Sequence, residues 1–189
     1  MRVSREQAAK NREHVIDTAA RLFREKGYSG IGVADLMKEA GLTHGGFYGN
    51  FASKEDLLGA ACGRAFAGTG ALWGERIARD PQTALAGIVA SYLSRKHLDH
   101  PGQGCVMAAL GGDMARLSGS VRDVTTAGLR SQIDLLAPLM EGATDAARRR
   151  AAMAAYAAMV GALVLARAVG DDALADEILA AVQEQILAG

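Results

Sequence analysis

Only three prolines and two cysteines occur in this 189-residue chain, and the 21 basic and 21 acidic side chains leave no formal net charge. Each scarcity excludes something. Two thiols, Cys62 and Cys105, cannot build a disulfide framework. A zero balance argues against a general nucleic-acid binder, which is usually basic overall, so the distribution of charge matters more than its total. No run of about eighteen uncharged apolar residues occurs, as a membrane span would need. The nearest, Ala151 to Ala166, falls short and is flanked by Arg148, Arg149, Arg150 and Arg167. The start, Met1 to Glu6, lacks an apolar signal core, so a cytoplasmic protein is expected. No glycine-rich phosphate loop follows a strand and no Ser or Cys sits in a nucleophile elbow, which leaves an enzyme no constellation to stand on.

What is present is helical. Half the residues are apolar, alanine dominates, and period-two β-branched runs are few, so an all-α fold is predicted. A first helix is expected from Ser4 to Lys26, stopped by Gly27, with Val15, Ile16, Ala19, Leu22 and Phe23 as its buried stripe. Val33, Leu36, Met37 and Ala40 then recur at spacings of three and four, and Gly41 supplies the left-handed residue that ends this second, short helix. Thr43 is placed to cap a third over His44 to Phe51. Two short helices across a tight turn make a helix-turn-helix, whose second helix enters the major groove of DNA. Residues 1 to 12 carry Arg2, Arg5, Lys10 and Arg12 against Glu6 alone, whereas the end carries Asp171, Asp172, Asp176, Glu177 and Glu184. A basic front and an acidic back suit a protein that presents one end to DNA.

Further along, Ser53 opens a long helix in a capping-box pattern with Asp56 and runs to the Asp80-Pro81 break. Pro81 suits the first turn of a helix to about Leu98, Asp99 to Gly104 is a loop, and Cys105 to Leu117 is a short helix. Ser120 is expected to cap a widely buried helix to about Met140. Asp145 to Val169 and Asp171 to Leu187 form a terminal hairpin, for a total of about nine helices. The chain is divided at residue 52, with a DNA-binding domain over 1–52 and one helical domain over 53–189.

The run from Ala40 to Phe51, followed by Ser53-Lys54-Glu55-Asp56-Leu57-Leu58, resembles the DNA-binding signature of the TetR family of bacterial transcriptional regulators. The turn, the Tyr48-x-x-Phe51 pair and the Ser-Lys-Glu helix start occur together in the family's order. Gly32 stands where the family usually has a Ser or Thr cap, and Asn50 where a His is common. The resemblance implies a homodimeric, ligand-responsive regulator, a repressor, that binds a palindromic operator. It also implies phosphate contacts at the positions of Tyr48, Asn50 and Lys54. Thr43, His44 and Gly45 lie at the end of the helix that meets base edges, with Gly46 beside them, while Gly32 and Val33 open the preceding helix. Phe47 and Phe51 are expected to pack inward.

For an effector, proteins of this kind hold an apolar cavity in the C-terminal domain. Phe66, Trp73, Tyr92 and Tyr156 are its aromatic candidates, joined by Met107, Leu110 and Met114. Cys62 lies on a core stripe. Cys105 follows a glycine-rich loop and opens a helix, where a sensor thiol would be exposed and activated, a role that some members of the family give to a cysteine near this place. His97 and His100 are read as histidines facing a helix C-terminus, so neither a metal nor a cofactor is expected. The dimer is expected through the last two helices, with Tyr156, Val160 and Leu163 on the first and Leu174, Ile178, Val182 and Ile186 on the second.

Overall fold

A computed structural model describes residues 4–117 and 119–188, and among them it contains nine α-helices and no strand. The first residues of the basic arm, Arg2 included, lie outside that range. The first helix, α1 (Arg5–Lys26), starts where the Gln7 N–H donates to Ser4 Oγ at 3.1 Å and stops at Gly27, whose φ is +76°. α2 (Val33–Glu39) ends the same way, at Gly41 with φ +67°. A side chain would be strained at either backbone.

α3 (Lys54–Arg79) carries the expected reciprocal cap. The Asp56 N–H donates to Ser53 Oγ and the Ala52 N–H donates to Asp56 Oδ2, both at 3.0 Å. Two orphan donors are satisfied by one serine and one aspartate. The single helix expected from Pro81 is instead two, α4 (Ala84–Tyr92) and α5 (Arg95–Asp99). Asp80 accepts from Gln82 N–H and Thr83 Oγ1, which holds Pro81 in a turn before α4, and Ser94 breaks the run by capping the His97 N–H.

The remaining elements are α6 (Val106–Met114), α7 (Ser120–Leu136), α8 (Asp145–Ala168) and α9 (Asp172–Leu187). Gly119 rather than Ser120 occupies the cap of α7, and Ser120 is its first helical residue. A 3-10 turn, Ala137–Leu139, replaces the last turn expected of that helix. α7 is not widely buried: Val121, Gln132, Ile133 and Leu136 make one covered face, and Val124, Leu129 and Leu135 are only partly covered. α8 has the length and apolarity of a membrane span, with a most apolar window of mean hydropathy 1.7. Its Ala152, Tyr156, Met159 and Leu163 are nevertheless buried inside the fold.

Packing divides into two cores. The first joins α1, α2, the start of α3, α6 and Val121; the second joins Trp73, α4, α5, the end of α7, α8 and α9. Met107 packs against both. Where α3 crosses α7, Gly128 lies flat on the Phe66 ring, and a Cβ there would overlap it. Gly112, exposed in α6, has open space where a methyl group would stand. Gly128→Ala should therefore destabilise by about 1–3 kcal/mol through overpacking. Gly112→Ala should stabilise by up to about 1 kcal/mol, because alanine loses less backbone freedom in a helix. Urea denaturation of both variants checks the pair; equal effects would mean that Phe66 moves aside freely.

Candidate functional site

Between α2 and α3 the chain does not form the α-helix expected over His44 to Phe51. His44–Gly46 is one turn of 3-10 helix, followed by tight turns to Asn50. The reason is local. Gly45, Gly46 and Gly49 lower helix propensity here by about 1 kcal/mol each relative to alanine. Thr43 stands at the cap position, but its hydroxyl makes no capping bond. The segment is held instead by Asn50, whose Nδ2 donates to the Gly46 carbonyl at 2.8 Å, and by Phe47 and Phe51, which are buried beside α1 and α2. Asn50 therefore ties the turn to itself, a role the phosphate expectation did not include.

What remains outward is a compact surface. Thr43, His44, Gly45 and Tyr48 are exposed, and Tyr48 is 68% exposed despite its size. Its ring meets His44 edge-on at 5.7 Å and Phe47 edge-on at 5.2 Å, so the buried phenylalanine positions the tyrosine and the tyrosine positions the histidine. Gly32 and Val33 flank this surface at the start of α2, Gly32 exposed and Val33 partly buried. From the N-terminal side, the Arg12 guanidinium stacks over Phe51 at 5.1 Å.

Lys54 is partly buried. Its Nζ donates to the Tyr28 carbonyl and lies 4.5 Å from the centre of the Tyr28 ring. Burial lowers its pKa, while Asp113 opposes that shift. Asp113, on α6, also accepts the Tyr28 N–H at 3.0 Å. A carboxylate of the C-terminal helices thus completes the α1–α2 connection. Nothing in the periodicity marks Asp113, which lies on the polar face of a short helix.

The far end of α6 begins at Cys105, and here a second junction forms. The Cys105 N–H donates to His97 Nε2 at 2.8 Å, and His97 Nδ1 bonds the Tyr92 carbonyl at 2.7 Å. That pattern needs a neutral imidazole with its proton on Nδ1. Burial lowers the His97 pKa, with Arg167 and Arg24 adding to it, so the neutral form is favoured. Arg24 of α1 donates to the Gly104 carbonyl at 2.9 Å, and Arg167 of α8 donates to the His97 carbonyl at 2.7 Å and the Leu98 carbonyl at 3.2 Å. His100 Nδ1 turns back to the Lys96 carbonyl at 2.9 Å.

Beside this junction is a cavity of about 270 Å³. Trp73, Tyr92 and Cys105 line it. Phe66, Leu110 and Met114 do not, because they fill the first core, and Met107 packs between the cores. Tyr156 stands behind the cavity wall, its hydroxyl 3.6 Å from Cys105 Sγ. Sequence reasoning missed Thr69, Leu72, Ser91, Ser94 and Gln103 as lining residues. Thr69 and Leu72 share a face of α3 with Trp73, but helical spacing cannot show that this face meets residues 91–105.

Cys105 is 5% exposed, not open to solvent as a sensor thiol was expected to be. Cys62 is 1% exposed, and burial pushes its pKa up to about 12. Both thiols should therefore react slowly with Ellman's reagent in the native protein and release two equivalents promptly in guanidinium. Fast labelling of Cys105 at neutral pH would show that the helix start opens readily.

Comparison with known proteins places these features. The family model described as bacterial regulatory proteins, tetR family, matches residues 15–61. The transcriptional regulator AcrR of Shigella flexneri is 37% identical over 57 residues, 30% of this chain and 26% of AcrR. The transcriptional repressor NemR of Escherichia coli strain K12 is 28% identical over 137 residues, 71% of this chain and 69% of NemR. The crystal structure of reduced E. coli NemR superposes with a TM-score of 0.79 at 23% identity, covering 94% of this chain and 95% of that one.

Proposed function

The chain belongs to the TetR family of bacterial regulatory proteins, and we propose that it is a cytoplasmic, ligand-responsive repressor that binds a palindromic operator as a homodimer. One observation carries this. The end of α1 and the connection after it, in the same core as the buried side of the exposed reading turn, are hydrogen-bonded through Arg24 and Asp113 to α6 and the loop before it, whose Gly104–Cys105 end walls a cavity. An effector in the cavity that favours one placement of α6 then changes the placement of the reading turn, which is what coupling between two sites requires. Residues 1–52 act as the reading head and 53–189 as the effector and dimer body.

His44 and Thr43 offer side-chain polar groups to base edges. Gly45 and Gly46 allow the backbone to approach closely, and Tyr48 and the remaining N–H bonds of Lys54 suit phosphates. On an operator selected from random duplexes, His44→Ala should cost about 1–3 kcal/mol and relax preference at one base pair per half-site. Unchanged affinity and preference in a mobility-shift titration would remove His44 from the reading surface.

The dimer surface is revised from the one expected. Tyr156 and Leu163 are buried within the chain and Ile186 nearly so, and they serve the second core. Met153, Ala157 and Val164 form an exposed stripe on α8, continued by the half-buried Val160; Leu174 is exposed on α9 beside the half-buried Ile178 and Val182. A two-fold partner would cover these apolar groups. Val164→Glu should give monomers in sedimentation velocity and weaken operator binding at least about tenfold, because a single half-site lacks the effective concentration of a linked pair. A dimeric variant would move the interface elsewhere.

A second reading has thiol modification at Cys105 as the trigger. It draws on Cys105 lining the cavity and on the likeness to NemR, whose solved structure is of its reduced form. Its burial favours the reversible ligand.

A further inference from the structure

The cavity has a chemical bias that a generic apolar pocket lacks. Its wall is built from Leu72, Trp73 and Tyr92, with Lys96 and His100 exposed at its rim, and no aspartate or glutamate lines it among the described residues. Behind the wall are two more cations. Arg24 and Arg167 are held by the carbonyls of residues 97–104, and neither forms an ion pair among the described residues. Each also keeps a buried nitrogen without a partner, Nε of Arg24 and Nη1 of Arg167. Buried charge without a counterion is costly, and an anion brought near it is favoured.

The Tyr92 hydroxyl is a third unfilled group. Tyr92 is 4% exposed and lines the cavity, and its hydroxyl, with only the weakly bonding Cys105 thiol beside it, makes no hydrogen bond of good geometry. A buried hydroxyl left in that state is destabilising by itself and becomes favourable when an acceptor arrives. Size limits the rest. A volume of about 270 Å³ lies just below the usual range for drug-sized ligands, roughly 300–1,000 Å³, and so suits a single ring with one small substituent.

From these observations we propose that the cavity binds a small aromatic acid, a single ring bearing one carboxylate, with the ring against Trp73 and Leu72. The carboxylate lies in the field of Lys96, Arg24 and Arg167 and accepts a hydrogen bond from the Tyr92 hydroxyl. The proposal rests on the cavity being the effector site of the regulator. It adds the charge and size of the effector.

Trp73 is the single tryptophan of the chain and lines the cavity, so its fluorescence reports occupancy directly. The intact protein is titrated with benzoate, benzyl alcohol and benzylamine, with operator binding measured separately on the same preparation. Benzoate should give saturable quenching at least about tenfold tighter than either isostere, as expected of a charge-assisted hydrogen bond. Tyr92→Phe should weaken benzoate severalfold while leaving the thermal midpoint unchanged or raised, because it removes an unpartnered hydroxyl; a merely structural tyrosine would lower the midpoint instead. Lys96→Met, at an exposed position, should weaken benzoate and leave benzyl alcohol unaffected. Tighter binding of benzyl alcohol or benzylamine would overturn the assignment of charge. The absence of saturable quenching by all three at millimolar concentration would overturn the site itself. Operator binding retained in either case would leave the DNA-reading function standing, whereas its loss alone would leave the ligand assignment standing.

Discussion

One helix belongs to both cores, and the other contacts follow from that. α3 has 26 residues, about 39 Å of rod at 1.5 Å per residue. Its first half places Leu57, Leu58, Ala61, Cys62 and Phe66 in the core that supports the reading turn, and Trp73 enters the second core beside the cavity. Close-packed interiors do not deform smoothly, so displacement at one end is carried to the other as a rigid shift. Arg64 of α3 pairs with Glu13 and Asp17 of α1, and the buried Gln132 of α7 donates to the Phe66 carbonyl at 3.2 Å. These polar ties hold the rod against its neighbours at a defined register.

α6 provides a second, shorter connection in parallel. One end begins at Cys105, whose N–H rests on His97; the other carries Asp113, which completes the Tyr28 turn and faces Lys54. Arg24 closes the loop directly from α1 to Gly104. Under the proposed function, a cavity occupant that moved the segment before Cys105 would act on the head at two places separated along α1 and α6. Each of these bonds has a backbone group at one end, so the connection depends on the path of the chain.

In the proposed reading, the turn that faces DNA needs little regular helix because its base is rigid. Buried Phe47 and Phe51 and the Asn50 bond to Gly46 hold its inner side, while Gly45 faces open space. Side-chain chemistry is concentrated in Thr43, His44 and Tyr48 as a result, and the edge-on contact between the two rings restricts where His44 can point.

Neighbouring residues along the chain dictate the helical class, the caps at Ser4, Ser53 and Thr144, the stops at Gly27 and Gly41, and the terminal hairpin, because each depends on groups within a few positions of one another. The motif from Ala40 to Leu58 was legible for the same reason. The division of Pro81 to Leu98 into two helices was not, since it turns on whether Asp80 and Ser94 bond nearby backbone or solvent. Which face of each helix meets which neighbour was settled by packing across the fold. Phe66, Leu110 and Met114 have the same apolar character as Trp73 and Tyr92, yet they went to a different core; Tyr156 and Leu163 turned inward while Val164, next in the chain, turned out. Asp113, Arg24 and Arg167 became connecting residues because folding brings them to backbone groups 69 to 85 positions away, and no local pattern encodes a partner at that distance.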